Sequence, residues 1–325
     1  MNILFLTLLD FNSIDEQGIY TDLLREFVKH EHKVYIISPV EKRKDLPTKL
    51  INNVNYQILK LKVGNIQKTN FIEKGISTLT LESKFISGIK KYFSDIKFDL
   101  VLYSTPPITF QKAIKYVKDR DGAKTYLILK DIFPQNAIDL GILKKHGLKG
   151  IIYNYFRKKE KLLYKYSDYI GCLSEANINF IIRNNPEFSQ KTIEVCPNSI
   201  EPVTINIDEQ KKLEIRKKYD IPVDKVTFVY GGNLGRPQGI DFIIECLKSN
   251  LGNEEIFFLI AGSGTEYGTL KHFFENEKPK NAKLLFQLPR EEYEVLVNSC
   301  DVGLVFLDKR FTIPNFHILL LVIEI

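Results

Sequence analysis

Cysteine and histidine are scarce in this chain, four of one and five of the other in 325 residues. Cys172, Cys196, Cys246 and Cys300 are far apart and none belongs to a CxxC pair. That spacing argues against a zinc site, and a chain this long does not need disulfides, so reduced structural thiols are expected. The motifs GxSxG, HExxH and GxxxxGK[ST] are missing, which argues against the common hydrolase, zinc-protease and P-loop chemistries. Long apolar runs are missing too. Met1–Leu9 has no basic leader and no small-residue cleavage site, and Asp10 follows at once, so it reads as a buried first strand. Ile318–Ile323 is far too short to span a bilayer. The net charge is only +6, with lysines scattered rather than gathered into an arm. Nucleic acid is therefore not expected as a partner, and a basic face that meets phosphates or lipid headgroups fits better.

What is present is ordinary for a globular protein: 44% hydrophobic and 26% charged residues, at a length suited to two α/β domains. Short apolar runs alternate with helical stretches, the pattern of a parallel sheet wrapped by helices. Strands are predicted at Ile3–Leu9, Lys33–Ser38 (broken by Pro39), Tyr56–Leu61, Leu100–Tyr103, Thr125–Leu129, Tyr169–Leu173 and Ile193–Cys196. Helices are predicted at Gly18–His30, Leu79–Phe93, Phe110–Asp119 and Gly150–Tyr166. Asp45–Asn55 reads as a polar connection and Gly64–Lys74 as a mobile loop. Pro197-Asn-Ser-Ile-Glu-Pro202 is punctuation, which places a first domain at 1–200 and a second at 201–325. The second is predicted to run through strand Val226–Tyr230, helix Ile240–Lys248, strand Ile256–Ala261, helix Thr269–Glu277, strand Lys283–Gln287, helix Arg290–Asn298 and strand Val302–Leu307.

Four segments can carry chemistry. Gly231-Gly-Asn-Leu-Gly-Arg-Pro-Gln-Gly239 follows a strand and opens a helix, where glycines let the backbone approach an anion and Arg236 adds donors. The same sequence also suits a plain glycine turn shaped by packing. Gly262-Ser-Gly264 ends the next strand, at the edge where open α/β sheets bind ligands. Lys130-Asp-Ile-Phe-Pro134 puts a charged pair directly after a buried strand; Asp131 can orient or deprotonate a hydroxyl, or cap the following turn. The helix Gly150–Tyr166 sets Ile152, Tyr155, Phe156, Leu162, Leu163 and Tyr166 on one face and Arg157, Lys158, Lys161 and Lys165 on another. It suits docking on an anionic membrane, and equally a surface helix packed on its own domain.

With Cys196-Pro-Asn-Ser-Ile200, Gly231–Gly239, Ile260-Ala-Gly-Ser-Gly264 and Cys300-Asp-Val-Gly-Leu304 in this order, the chain resembles the family 4 glycosyltransferases. Asn12–Tyr20 and Asp131-Ile-Phe-Pro-Gln-Asn136 resemble the bacterial branch that builds capsule and O-antigen polysaccharides. The likeness covers nearly all of residues 1–316. It implies a GT-B fold, two Rossmann-like domains facing each other across a cleft. It implies a cytoplasmic hexosyltransferase that acts with retention and without a metal or other cofactor, with the nucleotide sugar as substrate. The donor would lie on Gly231, Gly232, Asn233, Leu234, Gly235, Arg236, Gln238, Gly239, Gly262, Ser263 and Gly264. A lipid-linked saccharide acceptor would lie near Gly18, Ser104 and Thr105, with Asp131 catalytic, at the inner face of the membrane. Where family members carry an Arg and a Lys in the first glycine motif, this chain has Asn233 and Gln238, leaving Arg236 as the cation there. After Phe316 the resemblance stops, so the second domain is expected to be incomplete and the chain inactive or nearly so; the alternative is that residues 317–325 form a short extra strand. A nucleotide-sugar epimerase of the same fold and an inactive fragment are the competing readings.

Overall fold

The computed structural model describes residues 1–66, 71–202, 205–308 and 323–324. They form two compact units, Met1–Glu201 and Pro202–Ile325.

The first unit is an eight-stranded sheet in the order β3-β4-β2-β1-β5-β6-β7-β8. Its strands are β1 (Asn2–Leu6), β2 (Lys33–Glu41), β3 (Lys49–Asn52), β4 (Tyr56–Val63), β5 (Leu100–Ser104), β6 (Lys124–Leu129), β7 (Tyr169–Cys172) and β8 (Thr192–Val195). All neighbours pair in parallel except β3, which runs antiparallel to β4. Ile3, Leu4, Phe5 and Leu6 are all fully buried, as a central parallel strand covered on both faces must be. Each such side chain contributes about 1.5–3 kcal/mol by burial. The helices are α1 (Ile19–Lys29), α2 (Phe71–Tyr92), α3 (Gln111–Asp121), α4 (Gln135–Asp139), α5 (Gly147–Tyr166) and α6 (Glu175–Asn184).

Several expectations change here. Pro39 does not break β2, which pairs with β4 through Glu41. Pairing with β1 ends at Leu6↔Ile37, so the missing N–H of Pro39 falls where no neighbour needs it. Asp45–Asn55 contains a strand, β3, a short four-residue edge with Lys49 and Asn52 exposed at its ends. The predicted loop at 64–74 overlaps the start of α2 at Phe71, and residues 67–70 lie outside the described residues. β1 stops at Leu6, before Thr7–Leu9. Helix α5 begins at Gly147 and is covered mainly in its second half: Glu160, Leu163 and Tyr164 are buried, as is Gly150, while Ile152 and Tyr155 of the predicted apolar face are exposed.

The second unit is a five-stranded sheet in the order β11-β10-β9-β12-β13. It comprises α7 (Glu209–Lys218), β9 (Val226–Asn233), α8 (Ile240–Ser249), β10 (Ile256–Ser263), α9 (Tyr267–Glu277), β11 (Ala282–Phe286), α10 (Arg290–Val297), β12 (Val302–Gly303) and β13 (Ile323–Glu324). Along β10, Phe258 and Ile260 enter one apolar cluster with Ile243, Leu247, Leu270 and Phe273. Phe257 and Leu259 enter another with Ile215, Tyr219 and Leu296. Helices therefore cover both faces of the central strands. The predicted strand at 302–307 shortens to Val302–Gly303; beyond it Phe306 is buried, whereas Val305 and Leu307 are exposed. Ile323–Glu324 pairs antiparallel with β12; the rest of the segment His317–Ile325 lies outside the described residues.

Helix α7 is absent from the sequence reading because its exposed, charged sequence shows no apolar stripe, although Asp208 caps it through the Lys211 amide at 2.7 Å. Arg216 anchors it. The side chain is 4% exposed and donates to the carbonyls of Ser299 (2.8 Å) and Pro222 (3.2 Å) and to Asp301 (2.6 Å). Burial pushes the Asp301 carboxyl up, but bonds from the Thr227 amide and Arg216 outweigh it and hold the pKa below its ordinary value. Its stabilising contribution is thus complete at neutral pH and is lost as the pH falls through the acid range. Replacing Arg216 by Met should cost about 3 kcal/mol, the low end for breaking a buried pair because Asp301 stays partly solvated. Urea unfolding reads this; an unmoved midpoint would contradict the anchoring role.

Candidate functional site

In the second unit, the carboxyl ends of β9, β10 and β11 enclose a cavity of about 430 Å3. Its wall includes Gly231, Gly232, Asn233, Gly262, Ser263, Arg290 and Tyr293. The first glycine motif is not simply a turn. β9 continues through Gly231, Gly232 and Asn233, and only then does the chain turn through 236–238 into α8.

The glycines divide by physical cause. A Cβ on Gly231 would collide with the ring of Tyr293. One on Gly262 would strike the carbonyl of Gly232, and one on Gly264 the backbone of Leu234. These three permit close packing inside the protein. Gly232 differs: its φ of 144° is one that side chains rarely adopt, and a Cβ there would find nothing nearer than the Tyr230 hydroxyl at 4.0 Å. At this position the glycine leaves bare backbone facing open space.

The loop beyond is internally tied. Leu234 N–H donates to Ser263 O at 2.9 Å, and Gly235 N–H and Asn233 Nδ2 donate to Gln238 Oε1 at 3.1 and 3.0 Å. Those amides are committed to partners within the protein. Gly239 accepts from Phe242 and Ile243 as α8 begins. Arg236 is 67% exposed and pairs with Glu266 at 3.5 Å. The cation lining the cavity is Arg290, in the first turn of α10, with Glu294 at 2.6 Å. Its place just after the third strand of the unit could have marked it in the sequence. Ser263 Oγ donates to Gln287 at 2.6 Å, closing the wall.

In the first unit, the loops after β1 and β5 and the segment after β6 lie along one edge. A cavity of about 840 Å3 opens there, walled by Leu8, Leu9, Pro106, Pro107, Phe133 and Phe156. Its charged liners are mutually paired, Arg43 with Glu41 and Lys44 with Asp10 (2.5 Å). Burial raises Asp10, and hydrogen bonds from Lys44 and Lys60 more than reverse this, leaving it below the usual carboxylate range.

Ser104 and Thr105 are buried. Thr105 Oγ1 accepts the amides of Lys130 (3.1 Å) and Asp131 (3.3 Å), and Ser104 bonds the Tyr20 hydroxyl. They build the site rather than line it. Gly18 caps α1 and its N–H donates to Asp22 at 3.0 Å. Asp131 does not cap α4, whose N-cap residue is Pro134 and which has no side-chain cap. Among the described residues its carboxylate makes no hydrogen bond or ion pair. More than a third of Asp131 is open to solvent, yet the surrounding protein removes enough hydration to raise its pKa, which Lys130 partly offsets.

Two units of this kind, each a parallel sheet with its cavity at the carboxyl edge, make the GT-B fold of glycosyltransferases. Solved structures agree: that titled "Trehalose-6-phosphate from E. coli bound with UDP-2-fluoro glucose" aligns with a TM-score of 0.66 over 94% of this chain and 78% of its own, at 12% identity. Residues 211–307 match the family model described as Glycosyl transferases group 1. Among curated proteins, the chain is 25% identical over 251 residues to the probable glycosyltransferase WbjE of Pseudomonas aeruginosa, covering 74% of this chain and 58% of that one. It is 22% identical over 208 residues to the putative colanic acid biosynthesis glycosyl transferase WcaI of Escherichia coli K12, covering 64% and 49%. The chain thus spans about half the length of these relatives.

Two outcomes follow. Gly262→Ala should destabilise the second unit by about 1–3 kcal/mol or more through backbone overlap, whereas Gly268→Ala, in α9 with nothing within 4 Å, should stabilise it by about 0.5–1 kcal/mol. Equal effects in denaturant titrations would refute the close-approach account. A raised carboxyl costs stability once the pH exceeds its unfolded pKa. Asp131→Asn should therefore raise the melting temperature at pH 7, and the gain should vanish at pH 3. A variant less stable at both pH values would assign Asp131 a structural bond.

Proposed function

We propose that this protein transfers a sugar, with retention and without a metal, from a nucleotide-sugar donor to a lipid-linked saccharide in cell-surface polysaccharide synthesis. The observation that carries the reading is the bare backbone at Gly232 in a cavity that also holds Arg290. Diphosphate is recognised by close backbone approach and by a guanidinium fork, and its developing charge must be stabilised as it leaves. The group 1 match over 211–307 and the UDP-2-fluoro glucose named for the E. coli structure support the donor class. WbjE and WcaI support the polysaccharide setting. Asp131 is the group for the acceptor side: a carboxyl with no hydrogen bond among the described residues, held above its usual pKa, is suited to accept a hydroxyl proton.

The test has two arms. Calorimetry with UDP-, GDP- and dTDP-sugars should find one that binds, and Gly232→Val should weaken it more than tenfold while the first unit stays folded. With a lipid-linked acceptor, Asp131→Asn should lower kcat about 100-fold or more without changing donor affinity. No binding by any of these donors would overturn the reading. Epimerisation of the donor without an acceptor would replace transfer as the activity.

Helix α5 supports a membrane-bound acceptor. Leu148 (85% exposed), Ile151 (68%), Ile152 and Tyr155 form an uncovered stripe at helical spacing. Lys144, Lys145, Lys149, Arg157, Lys158 and Lys159 surround it, with no acidic residue between 140 and 159. Such a face suits an anionic bilayer surface. Among the described residues no helix is long and apolar enough to cross a membrane. Leu148→Asp with Ile151→Asp should reduce sedimentation with phosphatidylglycerol vesicles at least tenfold. Unchanged sedimentation would remove α5 from membrane contact.

A further inference from the structure

Tyr293 lies one turn after Arg290 on α10, so the two side chains are neighbours on that helix, and both line the cavity at the carboxyl ends of β9, β10 and β11. The phenol end of Tyr293 is pressed against β9. A Cβ on Gly231 would fall 1.9 Å from its hydroxyl oxygen and 2.1 Å from its Cζ. Glycine at 231 is therefore what admits the hydroxyl end of this ring, and a side chain there would displace it. The next residue along the strand is Gly232, whose backbone is bare toward the same cavity.

The hydroxyl is placed by the protein but not used by it. Tyr219 donates to Glu292, and Tyr230 to the Asn233 carbonyl at 2.8 Å. Among the described residues the Tyr293 hydroxyl has no hydrogen-bond partner. Tyr267, against Phe286, likewise has none, but it does not line the cavity. Tyr293 is half-buried, and burial pushes its pKa above the ordinary value, so the group stays a neutral donor through the physiological range. A hydroxyl that loses hydration without gaining a partner costs free energy, and phenylalanine would fill the same space without that cost. Other donors of this wall have partners inside the protein: Asn233 Nδ2 meets Gln238, Ser263 Oγ meets Gln287 and Arg290 Nε meets Glu294.

We propose that the Tyr293 hydroxyl donates a hydrogen bond to the diphosphate of the nucleotide sugar, an uncharged contact beside the Gly232 backbone and Arg290. The inference rests on the reading that this cavity binds the donor, and it names the residue of α10 that recognises the donor's anion. The ring is already wedged against backbone, so little side-chain freedom is lost when the hydroxyl meets a phosphate oxygen. A hydrogen bond to a charged acceptor is also the strong kind, which offsets the hydration that Tyr293 gives up.

The test compares the native full chain with Tyr293→Phe, which keeps the ring and removes the hydroxyl, and with Gly232→Val. Calorimetry measures affinity for UDP, GDP and dTDP and for the matching nucleosides, uridine, guanosine and thymidine. At least one diphosphate should bind the native chain. Tyr293→Phe should weaken that diphosphate about tenfold or more, the size of a lost hydrogen bond to a charged group, and leave its nucleoside unchanged. The urea midpoint of Tyr293→Phe should be no lower than the native one, because no bond within the protein is lost. Diphosphate affinity unmoved by Tyr293→Phe overturns the contact; if Gly232→Val weakens the same ligand, the donor reading stands without it. An equal loss for the nucleoside overturns the assignment by moving the hydroxyl to the base or ribose, and a lowered urea midpoint overturns it by making the role structural. Binding of none of the three diphosphates to the native chain overturns this contact and the donor reading together.

Discussion

Two backbones lie against each other at the end of β9 and β10 with no side chain between them. The strands pair continuously from Val226↔Ile256 to Asn233↔Ser263. Just before the last rung Gly231 faces Ala261 and Gly232 faces Gly262, and Gly264 follows against Leu234. A methyl group on Gly262 would meet a backbone carbonyl, which cannot move without unzipping the ladder. The other features of the second unit follow from this approach. It brings Ser263 O to the Leu234 amide and lets the Tyr293 ring lie under Gly231. The one glycine spared from packing, Gly232, is left facing the cavity.

The first unit answers the same architecture in another way. Its parallel strands also finish along one edge, but the site there is framed by hydroxyls. Thr105 fixes the 130–131 backbone and Ser104 fixes Tyr20. The result is a juxtaposed lysine and aspartate, neither hydrogen-bonded through its side chain among the described residues, whose pKa values move toward each other through lost hydration. Adjacent charges with such shifted pKa values mark a candidate functional position.

The α/β character was legible because apolar runs such as Leu100–Tyr103 and Phe257–Ala261 are strands buried on both faces, and these runs keep their place in the structure. What escaped was governed by tertiary context. Pro39 reads as a breaker until the end of β1 is known. Helix α7 carries no apolar period because its buried residues are only Ile215 and the arginine that follows it, Arg216. In the candidate sites, position after a strand pointed to Asp131 and the glycine motifs, but glycine identity could not say which residues pack and which face the cavity. Arg290 went unnoticed for a related reason: an isolated cation after a strand looks like any surface residue until its neighbours are placed.

Hydrogen–deuterium exchange on the full chain, with and without a saturating nucleoside-diphosphate sugar, tests the central claim most directly. The account predicts added protection in the segments 231–235, 261–264 and 287–293, centred on Gly232. Protection absent from all three segments while the donor is demonstrably bound, or confined to residues of the first unit, would contradict it.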